Sequence, residues 1–198
     1  MKIGVFGGAF NPVHNGHLHL AQAYFDGLGL DKLIFIPTCK PPHKTDRFLL
    51  DGESRVKMLE LAIENKPYEI STIEFDRSEK SYTYDTLVEL KKLYKNDDIF
   101  LIIGADQFLG FDTWYRYSDI LDMAVLCTCA RESEQEKLEI IKKANELGIA
   151  DRYYLSDKPV LKVSSSQIRD GLKNGDDVSS LLPKKVLNYI LEKGLYSV

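Results

Sequence analysis

Short apolar runs alternate along the chain with stretches whose apolar residues recur at helical spacing. KIGVF, KLIFIP, IFLIIGAD and AVLCTCA are almost continuously apolar, which marks strands buried on both faces of a parallel sheet. IFLIIGAD is the most apolar of them and is expected at the sheet centre. Leu18, Ala21, Tyr24, Phe25 and Leu28 form a stripe that predicts a helix from about Gly16 to Leu28. Val56, Leu59 and Ile63 predict another from Glu53 to Asn65, and Leu87, Leu90 and Tyr94 a third from Thr83 to Tyr94. YEISTIEF alternates and predicts a half-exposed strand. Ser133 to Leu147 reads as a charged surface helix stopped by Gly148. RYYLS and VLKVS read as late strands or extended pieces, and SSSQIRDGLKNG opens a short helix. A last helix runs from Pro183 to Lys193, with Pro in its first turn and Gly194 past its end. CKPPHKTDRFLLDG reads as a loop.

The βαβα order predicts an α/β fold: a doubly wound parallel sheet covered by helices, closed by C-terminal helices and spanning residues 1–198 as one domain. Ligands of such sheets bind beyond the carboxyl ends of the strands. GGAFNPVHNGH, GADQF and SSSQIR all fall at that edge.

Composition narrows the partners. A chain of 198 residues, 44% apolar and 28% charged, is the profile of a globular domain with a real core. A net charge of −4 provides no basic field for a nucleic acid, whereas a nucleotide-sized ligand needs only a few local cations. No apolar run approaches the roughly 18 residues of a membrane span. The opening MKIGVFGG is too short and glycine-broken for a secretory leader. Three cysteines, an odd number, supply no disulfide framework, and the chain is expected in the cytoplasm. A homo-oligomer is compatible with the sequence.

The candidate chemistry begins after the first strand. Gly7 and Gly8 let the backbone turn sharply and let a phosphate approach, although a plain βα turn has the same look. GGAFNPVHNGH matches neither G-x-G-x-x-G nor a Walker A loop. His14 and His17 share one helix face with Gly16 between them. They read as hydrogen-bond donors, or partial positive charge, for phosphate oxygens. The alternatives are ordinary helix-start residues or half of a zinc site completed by Cys127 and Cys129, which lie in an apolar strand. Ser164, Ser165 and Ser166, taken alone, read first as a plain helix cap, with an anion site as the alternative. Trp114 and Tyr115 read as core or as a stacking platform for a planar ring.

Gly8, Phe10, Pro12, His14, Gly16 and His17 spell G-x-F-x-P-x-H-x-G-H, which resembles the first signature of the nucleotidyltransferase superfamily. Ser164, Ser165, Ser166, Ile168 and Arg169 resemble its second, S-S-[ST]-x-I-R. Within that superfamily the chain is most similar to the bacterial nicotinate-nucleotide adenylyltransferases. The similarity includes PPHK (41–44), RVKMLELAI (55–63), SYTYDTL (81–87), IIGAD (102–106), Trp114–Tyr115 and the ending GLY (194–196). The chain departs from that pattern at Ala9 and Asn11, where the family usually has Thr and Asp. Those departures keep open a nucleotide-binding sensor without catalysis. A phosphopantetheine adenylyltransferase typically has Thr at the position of His14 and lacks the PPHK, SYT and WY set.

The resemblance implies a Rossmann-like nucleotidyltransferase fold that joins ATP to nicotinate mononucleotide and releases pyrophosphate, with no covalent enzyme intermediate. Gly7, Gly8, Ala9, Phe10 and Gly16 would border the ATP phosphates. His14 and His17 would bind those phosphates and stabilise the transition state. Ser164, Ser165, Ser166 and Ile168 would present a helix N-terminus, with Arg169 neutralising the leaving pyrophosphate. Gly104, Asp106 and Arg131 would border the rest of ATP. Lys44, Ser81, Tyr82, Thr83, Trp114 and Tyr115 would hold the mononucleotide. No protein metal site is expected; Mg²⁺ would be held mainly by phosphate oxygens.

Overall fold

The computed structural model describes residues 1–39, 49–77, 81–130, 134–156 and 161–196. The apolar runs form β1 (Lys2–Gly8), β2 (Lys32–Pro37), β3 (Tyr68–Ile70), β4 (Asp98–Ile102), β5 (Val125–Cys129) and β6 (Tyr153–Ser156). They pair in parallel as one six-stranded sheet in the order β3-β2-β1-β4-β5-β6. IFLIIGAD supplies β4, which pairs with β1 at the sheet centre.

The continuous apolar runs sort into two cores because successive side chains point to opposite faces. Phe6, Leu33, Phe35, Ile102 and Cys127 pack on one face under α1 (Asn15–Leu28), α2 (Gly52–Ile63), α7 (Ser165–Asn174) and α8 (Lys184–Glu192). Ile3, Val5, Ile34, Leu101 and Leu126 pack on the other under α3 (Thr83–Leu93), α4 (Ala105–Leu109), α5 (Tyr117–Met123) and α6 (Glu134–Glu146). Each fully buried side chain of this size contributes about 1.5–3 kcal/mol. Among the described residues no helix is long and apolar enough to cross a membrane.

Several elements depart from the sequence pattern. YEISTIEF pairs only over Tyr68–Ile70, and its last rung is Ser71 N–H to Phe35 C=O. The next rung needs an N–H from Pro37, which has none, so the chain turns away. The described residues of VLKVS (161–164) are irregular rather than extended in the sheet. GADQF becomes α4, with Gly104 as its N-cap. Neither α4 nor α5 was evident from periodicity, being only 5 and 7 residues long.

The chain winds from β1 outward to β3, then crosses back to place β4 beside β1. The two halves diverge there, opening a crevice at the carboxyl ends of β1 and β4.

Candidate active site

Gly7 and Gly8 are the last two residues of β1 rather than part of the loop after it. A Cβ on Gly7 would meet nothing within 4 Å, so this backbone is open to a ligand. A Cβ on Gly8 would stand 3.1 Å from the Phe10 ring. Phe10 itself adopts a left-handed φ of 47°. Its ring is buried edge-on to Phe6 and Phe35 at 5.6 and 5.5 Å. The expected contact of Phe10 with ATP therefore does not involve its ring, which is a core wedge.

Asn11 is 1% exposed and works as a junction. Its Oδ1 accepts from the Tyr196 hydroxyl at 2.7 Å and from the Leu50 N–H at 3.3 Å. Its carbonyl accepts from Arg169 at 2.8 Å. An amide oxygen meets these demands without a charge. The departure at Asn11 thus leaves this part of the loop intact.

His14 is the N-cap of α1 and His17 is its third residue. Each imidazole accepts the other's backbone N–H at Nδ1: His17 N–H to His14 at 3.3 Å, His14 N–H to His17 at 3.2 Å. This is a capping box built from two histidines. A neutral ring that accepts at Nδ1 carries its proton on Nε2, so the bonds fix both tautomers. The rings stack with centroids 3.7 Å apart, and Phe10 and Phe6 back His17 at 5.0 and 5.9 Å. Burial lowers the His14 pKa to about 4. Burial, reinforced by the neighbouring imidazole, holds His17 well below its ordinary value. Both are neutral donors in the free protein, not imidazolium cations. Gly16 between them is obligatory here: a Cβ would lie 2.6 Å from Val163 and 3.1 Å from the His14 ring.

The second motif docks on the first. Ser164 caps α7 by accepting from the Gln167 N–H at 3.2 Å. Ser165 donates to the Pro12 carbonyl at 2.9 Å. Arg169, one turn in, donates to Asn11 C=O and to Ser166 Oγ. Ile168 is fully buried and serves the core, not a ligand.

A cleft of about 540 Å³ opens at this junction, a size suited to a small molecule. Of the residues singled out in the sequence, His14, Gly16, His17, Gly104 and Ser164 line it. Leu20, Leu161 and Lys162 line it as well and were not anticipated, although Leu20 lies one turn beyond His17; Cys129, weighed in the sequence only as a zinc ligand, lines it too. Asp106 is exposed in the first turn of α4 and does not line it. Arg131 lies outside the described residues. Among those described, no group of three or more His, Cys, Asp or Glu is arranged to hold a metal ion.

The described residues expected to hold the mononucleotide gather elsewhere, where α3 meets α5. Tyr115 is 52% exposed and packs 4.8 Å from Tyr82 and 5.9 Å from Tyr84. Trp114 leans on Phe111 at 5.1 Å and is half-buried. Thr83 opens α3. Ser81 is buried, its hydroxyl donating to the Glu74 carbonyl at 3.4 Å, so its role is structural rather than ligand-facing. Lys44 lies outside the described residues.

Residues 5–171 match the cytidylyltransferase-like family model. A probable nicotinate-nucleotide adenylyltransferase of Clostridium tetani is 38% identical over 197 residues, covering 98% of this chain and 98% of its own. One of Bacillus pumilus is 41% identical over 197 residues with the same coverage of both chains. The chain belongs to the nicotinate-nucleotide adenylyltransferase family. Its fold matches the Plasmodium falciparum nicotinic acid mononucleotide adenylyltransferase complexed with NaAD, with a TM-score of 0.81, 21% identity and coverage of 98% and 97% of the two chains.

Two buried residues of this adenylyltransferase family member escaped the sequence reading. Arg55 is 2% exposed and donates to the carbonyls of Ala9, Thr38 and Leu50. Glu74 is 6% exposed and accepts from the Thr86 hydroxyl at 2.9 Å, pinning the segment before α3 to that helix. Arg55 lies three and four residues before Met58 and Leu59, on the apolar side of α2. A charged residue on an apolar stripe was the available signal.

Proposed function

We propose that this chain transfers the adenylyl group of ATP to nicotinate mononucleotide. A phosphate oxygen of the mononucleotide attacks the α-phosphorus of ATP, the new P–O bond forms, and the bond to the β-phosphate breaks with its electron pair leaving on pyrophosphate. The products are nicotinic acid adenine dinucleotide and pyrophosphate. The attacking phosphate, with a second pKa of about 6, is already an anion near neutral pH and needs no strong base. Catalysis is then positioning and charge stabilisation.

The observation that carries this reading is the stacked histidine pair at the cleft mouth. With Nδ1 of each ring committed to backbone, both Nε2–H groups remain as donors of fixed direction. The N-terminus of α7 adds its dipole, and Arg169 brings a guanidinium tied to the same loop. Tyr115, Tyr82 and Trp114 offer aromatic faces for the pyridine ring. The N–H groups at the start of α3 suit its carboxylate.

Mg²⁺ in this reading is held mainly by the phosphate oxygens of ATP. It would supply charge neutralisation on the triphosphate. Cys39, Cys127 and Cys129 are in no disulfide bond, and the cytoplasm is the proposed location.

Pyrophosphate release from ATP tests the reading, with nicotinate mononucleotide, nicotinamide mononucleotide and phosphopantetheine compared side by side. Turnover is expected with the nicotinate form and should fall about 100-fold or more in His14→Ala. Turnover with phosphopantetheine alone would overturn the substrate assignment. ATP binding without turnover on any of the three would overturn the reaction.

A further inference from the structure

Among the described residues Arg55 is the largest fully buried side chain, and it carries a charge. Its Nη1 donates to Ala9 C=O at 2.9 Å and Thr38 C=O at 2.8 Å, and its Nε to Leu50 C=O at 3.0 Å. The guanidinium also faces the Phe75 ring at 5.6 Å. Among the described residues no carboxylate hydrogen-bonds it; Asp51 and Glu74 act on it only through space. A buried cation bonded only to neutral carbonyls is costly to keep. Its position gives it a use. The peptide between Ala9 and Phe10 is trans, so its carbonyl and N–H point in opposite directions. Arg55 holds the carbonyl inward, and the Phe10 N–H faces away from the guanidinium. That N–H donates to no acceptor among the described residues.

We propose that Arg55 is a positioning residue for phosphate binding: by gripping the Ala9 carbonyl it presents the Phe10 N–H to an anion, and its charge, unmatched by a bonded carboxylate, adds to the attraction. This rests on the adenylyl-transfer reading, which brings several phosphate charges to the end of β1. It also explains why Ala9 serves in place of a hydroxyl residue. What Arg55 grips is the Ala9 backbone, which any residue supplies.

The test is calorimetric titration of the full chain with ATP, adenosine and inorganic pyrophosphate. Arg55→Met should weaken ATP and pyrophosphate about tenfold or more while adenosine stays within about twofold, the difference being a charge acting over several ångströms. Arg55→Lys keeps the charge and should recover most of that loss. Equal weakening of all three ligands in Arg55→Met would reduce Arg55 to a structural residue and overturn the proposal. A loss in Arg55→Lys as deep as in Arg55→Met would overturn its electrostatic half. If neither variant folds, the Phe10 amide resonance of the wild-type chain decides. It should shift on adding pyrophosphate, and an unmoved resonance overturns the proposal. Wild type that binds neither ATP nor pyrophosphate would instead sink the adenylyl-transfer reading, and this inference with it.

Discussion

His14 and His17 cap a helix with their own rings, and that local job sets their chemistry. An ordinary N-cap would be Ser, Thr or Asp, which also satisfies the orphan N–H groups; a carboxylate then has no donor, and a hydroxyl donates only from the capping oxygen itself. Imidazole accepts at Nδ1 and still donates at Nε2. The cost appears as a pH dependence with a definite sign. Unfolded histidine takes its proton near pH 6.5, whereas folded His14 takes it only near 4 because it is buried. Between those values the unfolded chain holds more protons, so stability is full above pH 6.5 and drains away as pH falls toward 4. For His14 this amounts to about 3 kcal/mol, and His17 adds to it in the same direction. Urea melts across this range should show the loss in wild type and a much shallower one in a His14→Ala, His17→Ala double variant. Parallel curves would contradict the neutral assignment. The sequence showed the pair and its spacing. It could not show which nitrogen faces the cleft, because that depends on the cap geometry.

At the scale of elements, the site is a joint between the loop after β1 and the start of α7. Ser165 to Pro12 and Arg169 to Asn11 are bonds spanning more than 150 residues of chain. They bring two motifs legible in the sequence into one surface. Their loads differ, and substitution should separate them. Ser165→Ala removes a neutral bond and should lower stability by about 1 kcal/mol with a modest effect on turnover. Arg169→Ala removes a charge from the joint and should lower kcat by about 100-fold, read from steady-state kinetics beside a denaturation midpoint. A kcat within twofold of wild type would return Arg169 to a helix-surface role. Elements also mark where periodicity fails. YEISTIEF alternates well enough for a strand, yet the neighbouring strand, through Pro37, ends the ladder after Ile70. VLKVS has strand composition, but its described part forms a wall of the cleft. In both cases the deciding group belongs to another segment.

Over the whole molecule, the cleft beside β1 and β4 and the tyrosine cluster between α3 and α5 are separate places, which the proposed reaction assigns to ATP and to the mononucleotide. Tyr115→Ala should therefore raise KM for nicotinate mononucleotide about 3- to 10-fold and leave KM for ATP unchanged. Trp114→Ala should do the same and also lower Tm, through its lost contact with Phe111. Equal shifts in both KM values would place the aromatic pair outside the mononucleotide subsite. What the sequence by itself determined was local: strands from apolar runs, helices from stripes, caps at Ser164 and Gly148, and the signatures at a common sheet edge. Each of these depends on residues a few positions apart, whose geometry the backbone period dictates. Only the tertiary structure decided that Phe10 and Ile168 are core, that Ser81 is buried, that Asn11 joins Leu50, Arg169 and Tyr196, and that Arg55 sits beneath the loop after β1. Those roles are set by burial and by hydrogen bonds between distant segments, and no local pattern encodes which partner a polar group meets once water is excluded.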